Sequence, residues 1–346
     1  METRPDILSF ARALRLGFFE FTWRVQEEAW LPRFKGSTLR GALGWAFKRA
    51  VCIRPDGQCE LCLVRSSCSY PYVFETSPPA EVPAFRGQRH APHPYVLEPP
   101  PEEKERYMAG ETVTFGLLLL GRAVTYLPHV ILAVEWAGRA GVGRGRARFA
   151  LETVCQREAD GRTSTIYNGP SNRFLWEADE QRLDMFIRAR QLQFSDHALE
   201  RVRLRFLTPT RVRIGGDLQS ELPFDLLVRS LLRRLWQLML VHGDETRTLD
   251  HRALIERARA VPTLHQALTW CDWERYSHRQ RTKMRLGGFV GEVEYELKGD
   301  ARADFLPLLI AGELLHVGTG TTFGLGKYEL KASGVHSALD TTTTAS

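Results

Sequence analysis

Two segments of this chain, one near the end of each half, run in the same order: an apolar helix-like stretch, a glycine-studded loop, then a short strand. In the second half the apolar run 305–315 leads into Gly318, Gly320, Gly324 and Gly326, and 325–330 reads as a strand. In the first half 127–136 is followed by Gly138, Gly141, Gly143 and Gly145, interleaved with Arg139, Arg144, Arg146 and Arg148, and 149–154 reads as a strand. A unit repeated at this spacing points to two related domains. The order also excludes something. Dinucleotide and P-loop fingerprints run strand, glycines, helix, and here the helix comes first. A glycine loop of either kind can still turn tightly and offer bare N–H groups to a phosphate chain.

The remaining pattern extends the repeat. Residues 14–25 form a strand rich in Phe and Trp, and the alternation slips at Phe18 and Phe19 in the manner of a bulge. A helix over 38–51 follows, then strands near 95–97 and 111–120, the helix from Leu127 and the strand from Ala147. The second half opens with a strand near Arg201 and continues with a long apolar helix over 224–241. Strands over 267–276 and 289–297, a helix over 305–316 and the last strand complete it. Each half is therefore β-α-β-β-α-β, the ferredoxin-like pattern of an α+β protein. The first domain is expected over 1–155 with a cysteine-bearing insertion at 52–76, a linker or long hairpin over 156–199, and the second domain over 200–332. The tail 333–346, ending TTTTAS, is expected to be disordered.

A chain of 346 residues is comfortable for two cores. Its net charge of +6 favours an anionic partner. No apolar run reaches the length of a membrane span, and METRPDILSF lacks the apolar core of a secretory signal, so a cytoplasmic protein is expected.

Three clusters carry chemistry. On the first helix Ser37 is placed to cap. Leu39, Ala42, Leu43, Ala46, Phe47 and Ala50 share the core face, leaving Gly41, Gly44 and Lys48 opposite, with Arg40 at the boundary. Two glycines there imply close approach by a packed helix or by a phosphate backbone held by Arg40 and Lys48. Cys52, Cys59, Cys62 and Cys68 form C-x6-C-x2-C-x5-C. In a cytosolic chain this reads as a structural metal site rather than as disulfides: zinc, or alternatively an iron–sulfur cluster. The third cluster runs from Arg275 to Tyr295, where Arg275, Arg279, Arg281, Lys283 and Arg285 surround Tyr276, His278 and Gln280. Charges for phosphates and a ring for stacking suit RNA. Paired catalytic carboxylates, HExxH and GxSxG are absent from the sequence.

The combination of FKGSTLRGALGWAFKRAVC, the four cysteines followed by YPYVFE, PHPYVLEPP, and LHVGTGTTFGLGKYEL resembles the CRISPR precursor-RNA processing endoribonucleases, Cas number six of the RAMP superfamily. The resemblance spans about residues 14–332, with the final glycine-rich segment its most specific part and the cysteine insertion similar to one subgroup. It implies two tandem ferredoxin-like (RAMP/RRM-like) domains that bind CRISPR repeat RNA. It also implies cleavage without a catalytic metal, by 2′-hydroxyl attack giving a 2′,3′-cyclic phosphate and a 5′-hydroxyl. The RNA-binding residues expected on this basis are Lys35, Arg40, Arg279, Gln280, Lys283, Arg285, Gly318, Thr319, Gly320, Gly324 and Gly326. Members often carry a catalytic histidine on or near the first helix, and 38–51 holds none. Lys48 is then the expected charge stabiliser and His278 the expected proton-transfer group, while His316 caps the preceding helix. Two further readings stand beside cleavage: a non-cleaving subunit retaining guide RNA among other CRISPR effector subunits, and an RNA-recognition module serving spacer acquisition.

Overall fold

The computed structural model describes residues 6–54, 56–79, 82, 85, 90–175, 178–194, 200–214, 216–245, 249–277 and 282–333, and the side chains of 214, 273–277 and 282–286 lie outside that description. The tail expected to be disordered falls almost wholly outside it as well.

A short helix α1 (Ile7–Ala11) precedes the first domain. The domain then runs β1 (Arg15–Val25), α2 (Gly36–Val51), α3 (Ser69–Phe74), β2 (Tyr95–Glu98), β3 (Thr112–Leu120), α4 (Leu127–Ala140) and β4 (Phe149–Arg157). Its sheet is ordered β2-β3-β1-β4, and β5 (Thr163–Asn168) continues it beyond β4. After α5 (Leu183–Gln191), the second domain runs β6 (Arg201–Thr210), α6 (Phe224–His242), α7 (His251–Ala258), β7 (Thr263–Ser277), β8 (Thr282–Glu296), α8 (Gly299–Leu315) and β9 (Tyr328–Ala332), with sheet order β7-β8-β6-β9. In both sheets the first strand lies between the third and the last, as the β-α-β-β-α-β succession requires. The polar segment after β4 makes the β4–β5 hairpin and then α5, which packs at the junction of the two halves.

Two apolar cores explain the strand patterns. Phe19, Phe21, Trp23 and Val25 of β1 pack with Leu39, Leu43, Ala46 and Phe47 of α2 and with α4. Phe21 stacks on Phe115 at 5.5 Å. The opposite face of β1, Leu16 and Phe18, joins α1, α5 and the core of the second domain. The expected bulge at Phe18 and Phe19 does not occur. Pairing with β3 is continuous there, and the irregularity of β1 against β4 falls between Thr22 and Trp23. Two adjacent phenylalanines are buried because this sheet is covered on both faces, which removes the need for a local slip.

The start of α2 also differs from expectation. Ser37 lies inside the helix, and Lys35 occupies the N-cap with no side-chain capping bond. Gly36 opens the helix because the glycine loop presses on it: a Cβ there would stand 1.8 Å from the Phe323 carbonyl oxygen. Among the described residues no helix is long and apolar enough to cross a membrane.

Candidate nucleic-acid cleft

The glycine loop after α8 is a wedge between the domains. Gly324 has φ +88°, and a Cβ on it would meet Pro99 Cδ at 2.3 Å and the Leu97 carbonyl at 3.0 Å, at the end of β2. The N–H groups of Phe323, Gly324, Leu325 and Gly326 go to the carbonyls of Gly320, Thr321, Gly320 and Pro209. Gly324 and Gly326 are therefore committed to packing against protein. An ion pair beside a buried histidine locks the wedge. Lys327 Nζ donates to Glu98 Oε2 at 2.6 Å, and His316 Nε2 stands 3.5 Å from Glu98 Oε1. Burial opposes ionisation of Glu98, but His316 and Lys327 outweigh it and hold the carboxyl down at about 2. His316, expected as a cap, is the C-cap of α8, fully buried at φ +60°, with Nδ1–H donating to the Leu325 carbonyl.

The other side of the loop, Gly318–Thr322, lines a cavity of about 570 Å³ at the domain junction. Arg211 and Arg213 enter it from the end of β6, and Arg229, Arg233 and Arg234 from successive turns of α6. The described lining includes no carboxylate. Arg211 donates to the Gly287 carbonyl at 2.9 Å and Arg234 to the Leu315 carbonyl at 2.7 Å, which aims both guanidinium groups. Burial lowers Arg234 to about 10, so it remains cationic at neutral pH. Five guanidinium groups without an acidic lining make a strong attractor for phosphates.

Two histidines stand on the opposite wall, in the segment joining the insertion to β2. His90 is exposed, and His93 is packed near Tyr95. Thr76 Oγ1 spends its only proton on the Tyr72 carbonyl at 2.7 Å. It must therefore accept from His93 Nδ1 at 3.0 Å, which leaves the ring lone pair on Nε2. Burial, with Arg40 nearby, pushes His93 down to about 3, so the ring is neutral. The segment is pinned across the junction by His242 of α6. This ring donates from Nε2 to the Pro92 carbonyl at 2.8 Å and accepts the Tyr72 hydroxyl at Nδ1, 3.0 Å away.

The expected site residues divide. Gly318, Thr319 and Gly320 line the cleft. Arg40 lies beside it, over the Phe323 ring at 5.3 Å. Lys35 is corrected: it is fully buried, its Nζ donating to the carbonyls of Arg33 at 3.1 Å and Glu102 at 2.7 Å, so it holds the 102–105 segment rather than RNA. Lys48 lies over Tyr70 at 5.0 Å in a separate groove on α2, with Arg40, Trp45 and Arg49. The two glycines of that face have different roles: Gly44 rests on Phe74, and Gly41 meets open space. His278, Arg279 and Gln280 lie outside the described residues. Lys283 and Arg285 pair through their backbone with Tyr276 and Glu274 in the β7–β8 hairpin, and their side chains lie outside the description. The cleft arginines and the histidine pair were not singled out from the sequence. The R-x-R at Arg211 and Arg213 and the helical spacing of Arg229 and Arg233 were the available signals.

Cys52, Cys59, Cys62 and Cys68 line one cavity of about 430 Å³ between the end of α2 and the start of α3. Among the described residues no three metal-binding side chains yet close around a common point.

A family model described as CRISPR-associated endoribonuclease Cas6 matches residues 204–328, and a model described as an N-terminal domain matches 14–179. An uncharacterized protein of Archaeoglobus fulgidus is 24% identical over 306 residues, 87% of this chain and 93% of the relative. Among solved structures the fold is similar to a partial Cas6-RT-Cas1–Cas2 complex, with a TM-score of 0.56 at 15% identity over 94% of this chain. The chain spans 47% of that longer protein. A Cas6 product complex matches with a TM-score of 0.54 at 16% identity, covering 91% of this chain and 100% of the other. Thermus thermophilus Cas6 matches with a TM-score of 0.52 at 15% identity, covering 92% and 99%. At these identities the structural likeness is one of fold.

Proposed function

We propose that the chain, whose residues 204–328 match the Cas6 family of CRISPR-associated endoribonucleases, is a Cas6-type endoribonuclease that binds CRISPR repeat RNA across the arginine cleft and cuts it there. The observation that carries this reading is the convergence at the domain junction of the loop Gly318–Thr322, five arginines and two histidines. The arginines take phosphates, and the loop gives the backbone close access to them.

The chemistry is internal transesterification. The 2′-oxygen forms a bond to the adjacent phosphorus while the P–O5′ bond breaks, leaving a 2′,3′-cyclic phosphate and a 5′-hydroxyl. The 2′-hydroxyl proton passes to a base, and O5′ takes one up. His93, neutral with its lone pair on Nε2, and exposed His90 are assigned to these transfers. Arg211 and Arg233 offset the charge of the phosphorane. Among the described residues the cleft lining offers no carboxylates for magnesium, so the reaction is assigned to side chains alone. Lys48, outside the cleft, contacts RNA in this reading and does not touch the scissile phosphate.

The test is cleavage of repeat RNA in EDTA, with a 2′-deoxy substitution at the scissile nucleotide as control. Wild-type protein cuts the ribose substrate and leaves the deoxy substrate whole. His90→Ala and His93→Ala together slow cutting at least 100-fold while binding changes little. Robust cutting of the deoxy substrate, or an absolute need for magnesium, overturns the mechanism. A second reading, a binding subunit without cleavage, is favoured by the absence of histidine from α2. Tight binding with no cutting of any repeat RNA would establish it. The fold likeness to a Cas6-RT-Cas1–Cas2 complex supports association with other CRISPR proteins in either case.

A further inference from the structure

We infer that Cys52, Cys59, Cys62 and Cys68 bind one zinc ion as a tetrathiolate, and that this ion holds the insertion between α2 and α3 in place. All four side chains line the same cavity. The rest of the insertion is built inside out. Over 52–68 no described residue is buried, and Ile53, Leu61 and Leu63 are 76%, 66% and 99% exposed. Apolar side chains point to solvent while the thiols turn inward, so no hydrophobic core stabilises this fold of the chain. Among its described residues the only regular element is a three-residue 3-10 turn, Cys59–Leu61. A segment of this length without a core needs a cross-link, and the thiols are free.

The donors lie close enough for a small inward movement to make one. Cys52 ends α2, its N–H bonded to the Lys48 carbonyl at 2.9 Å, and Cys68 is the N-cap of α3. Two ligands are thus fixed on rigid helices. The other two share a C-x2-C turn closed by the Cys62 N–H on the Cys59 carbonyl at 3.2 Å, and both residues line the cavity. Lys48, Arg54 and Arg65 line the same cavity and offset the two net negative charges of a zinc tetrathiolate. Zn–S bonds of about 2.3 Å bring tetrahedral sulfurs to about 3.8 Å from one another. Binding therefore draws the 59–62 turn inward and contracts a cavity of about 430 Å³. The chain just before this turn runs beside Lys48, since a Cβ on Gly57 would stand 3.9 Å from Lys48 Nζ. The ion would also shape one wall of the groove on α2.

The experiment uses the full chain, purified under reducing conditions without chelator. Elemental analysis should give one zinc per chain. A mercurial reagent should release it, read by a colorimetric zinc indicator, as four thiols are consumed. Alkylation mapping should show the four cysteines protected until zinc is removed, and Cys155 indifferent to its removal. Cobalt exchange should give the intense visible bands of a tetrahedral thiolate. Cys62→Ser should lose the zinc and Cys155→Ser should keep it. If Cys62→Ser does not fold, the wild-type protection map decides alone. Protein without bound zinc, with all six cysteines alkylated at equal rates, overturns the inference. So does a brown iron–sulfur chromophore, or a disulfide among the four.

Discussion

Acid should loosen the junction between the domains, and His242 should account for a measurable share of that loss. The ring is 4% exposed and uses both nitrogens in its neutral form, donating to the Pro92 carbonyl and accepting from Tyr72. Burial pushes its pKa from 6.5 down to about 4. Because the folded value lies below the unfolded one, the unfolded chain binds the extra proton between those limits. The stabilisation is complete above pH 6.5 and is lost as pH falls towards 4, at about 1.4 kcal/mol per pH unit. At pH 5 the loss from this group is about 2 kcal/mol, and His93, pushed down to about 3, adds a similar amount in the same window. Urea unfolding of the wild type and His242→Gln at pH 7.5, 6.0 and 5.0 measures this. The variant starts less stable at pH 7.5, having lost part of the network, but falls about 2 kcal/mol less on going to pH 5. Carboxylates elsewhere titrate in both proteins and cancel in the difference. Parallel pH profiles would show that His242 is not held neutral across the junction, and the argument for a pinned Pro92–His93 segment would fail with it.

Local periodicity made much of this fold legible. Both β-α-β-β-α-β successions, the long apolar α6 and the core face of α2 follow from residue spacing alone. What escaped depends on contacts between segments far apart in the chain. Lys35 reads as an exposed cation at a helix start, yet the 102–105 segment folds over it and supplies the Glu102 carbonyl. Phe18 and Phe19 read as a slip because one-sided burial is the simplest account of a strand. Here a second domain covers the other face. The glycine loop was legible as a feature, but its division of labour was not. Gly324 and Gly326 serve packing against β2 and Val317, whereas Gly318 and Gly320 border the cleft. The cleft itself draws on residues near 90, 211, 229–234 and 318–322, segments far apart in the chain that each contribute at most three arginines. The R-x-R at 211–213 and the spacing of Arg229 and Arg233 are local signals, but their convergence on one cleft is not, and the basic run at 275–285 stands out more in the sequence.

Three further outcomes follow from the geometry of the junction. Arg211→Ala with Arg233→Ala should weaken repeat-RNA binding and reduce the slope of log affinity against log salt by about 1 to 2, since each removed phosphate contact releases about one fewer counterion. An unchanged slope, measured by filter binding across a salt series, would place the RNA elsewhere. Gly324→Ala should cost at least about 2 kcal/mol in unfolding free energy, because φ +88° strains any side chain and the new Cβ would overlap Pro99. Glu98→Gln tests whether the wedge is held by charge. The carboxyl at about 2 instead of 4.5 corresponds to at most about 3 kcal/mol. Lys327 is one-third exposed, so water screens part of that, and about 2 kcal/mol is expected at pH 7. The wild-type contribution is present above pH 4.5 and disappears as pH falls towards 2, so the two proteins should converge in stability in acid. If Glu98→Gln unfolds at the wild-type urea concentration at pH 7, the Glu98–Lys327 pair does not hold the loop, and shape alone keeps Gly318–Thr322 at the cleft.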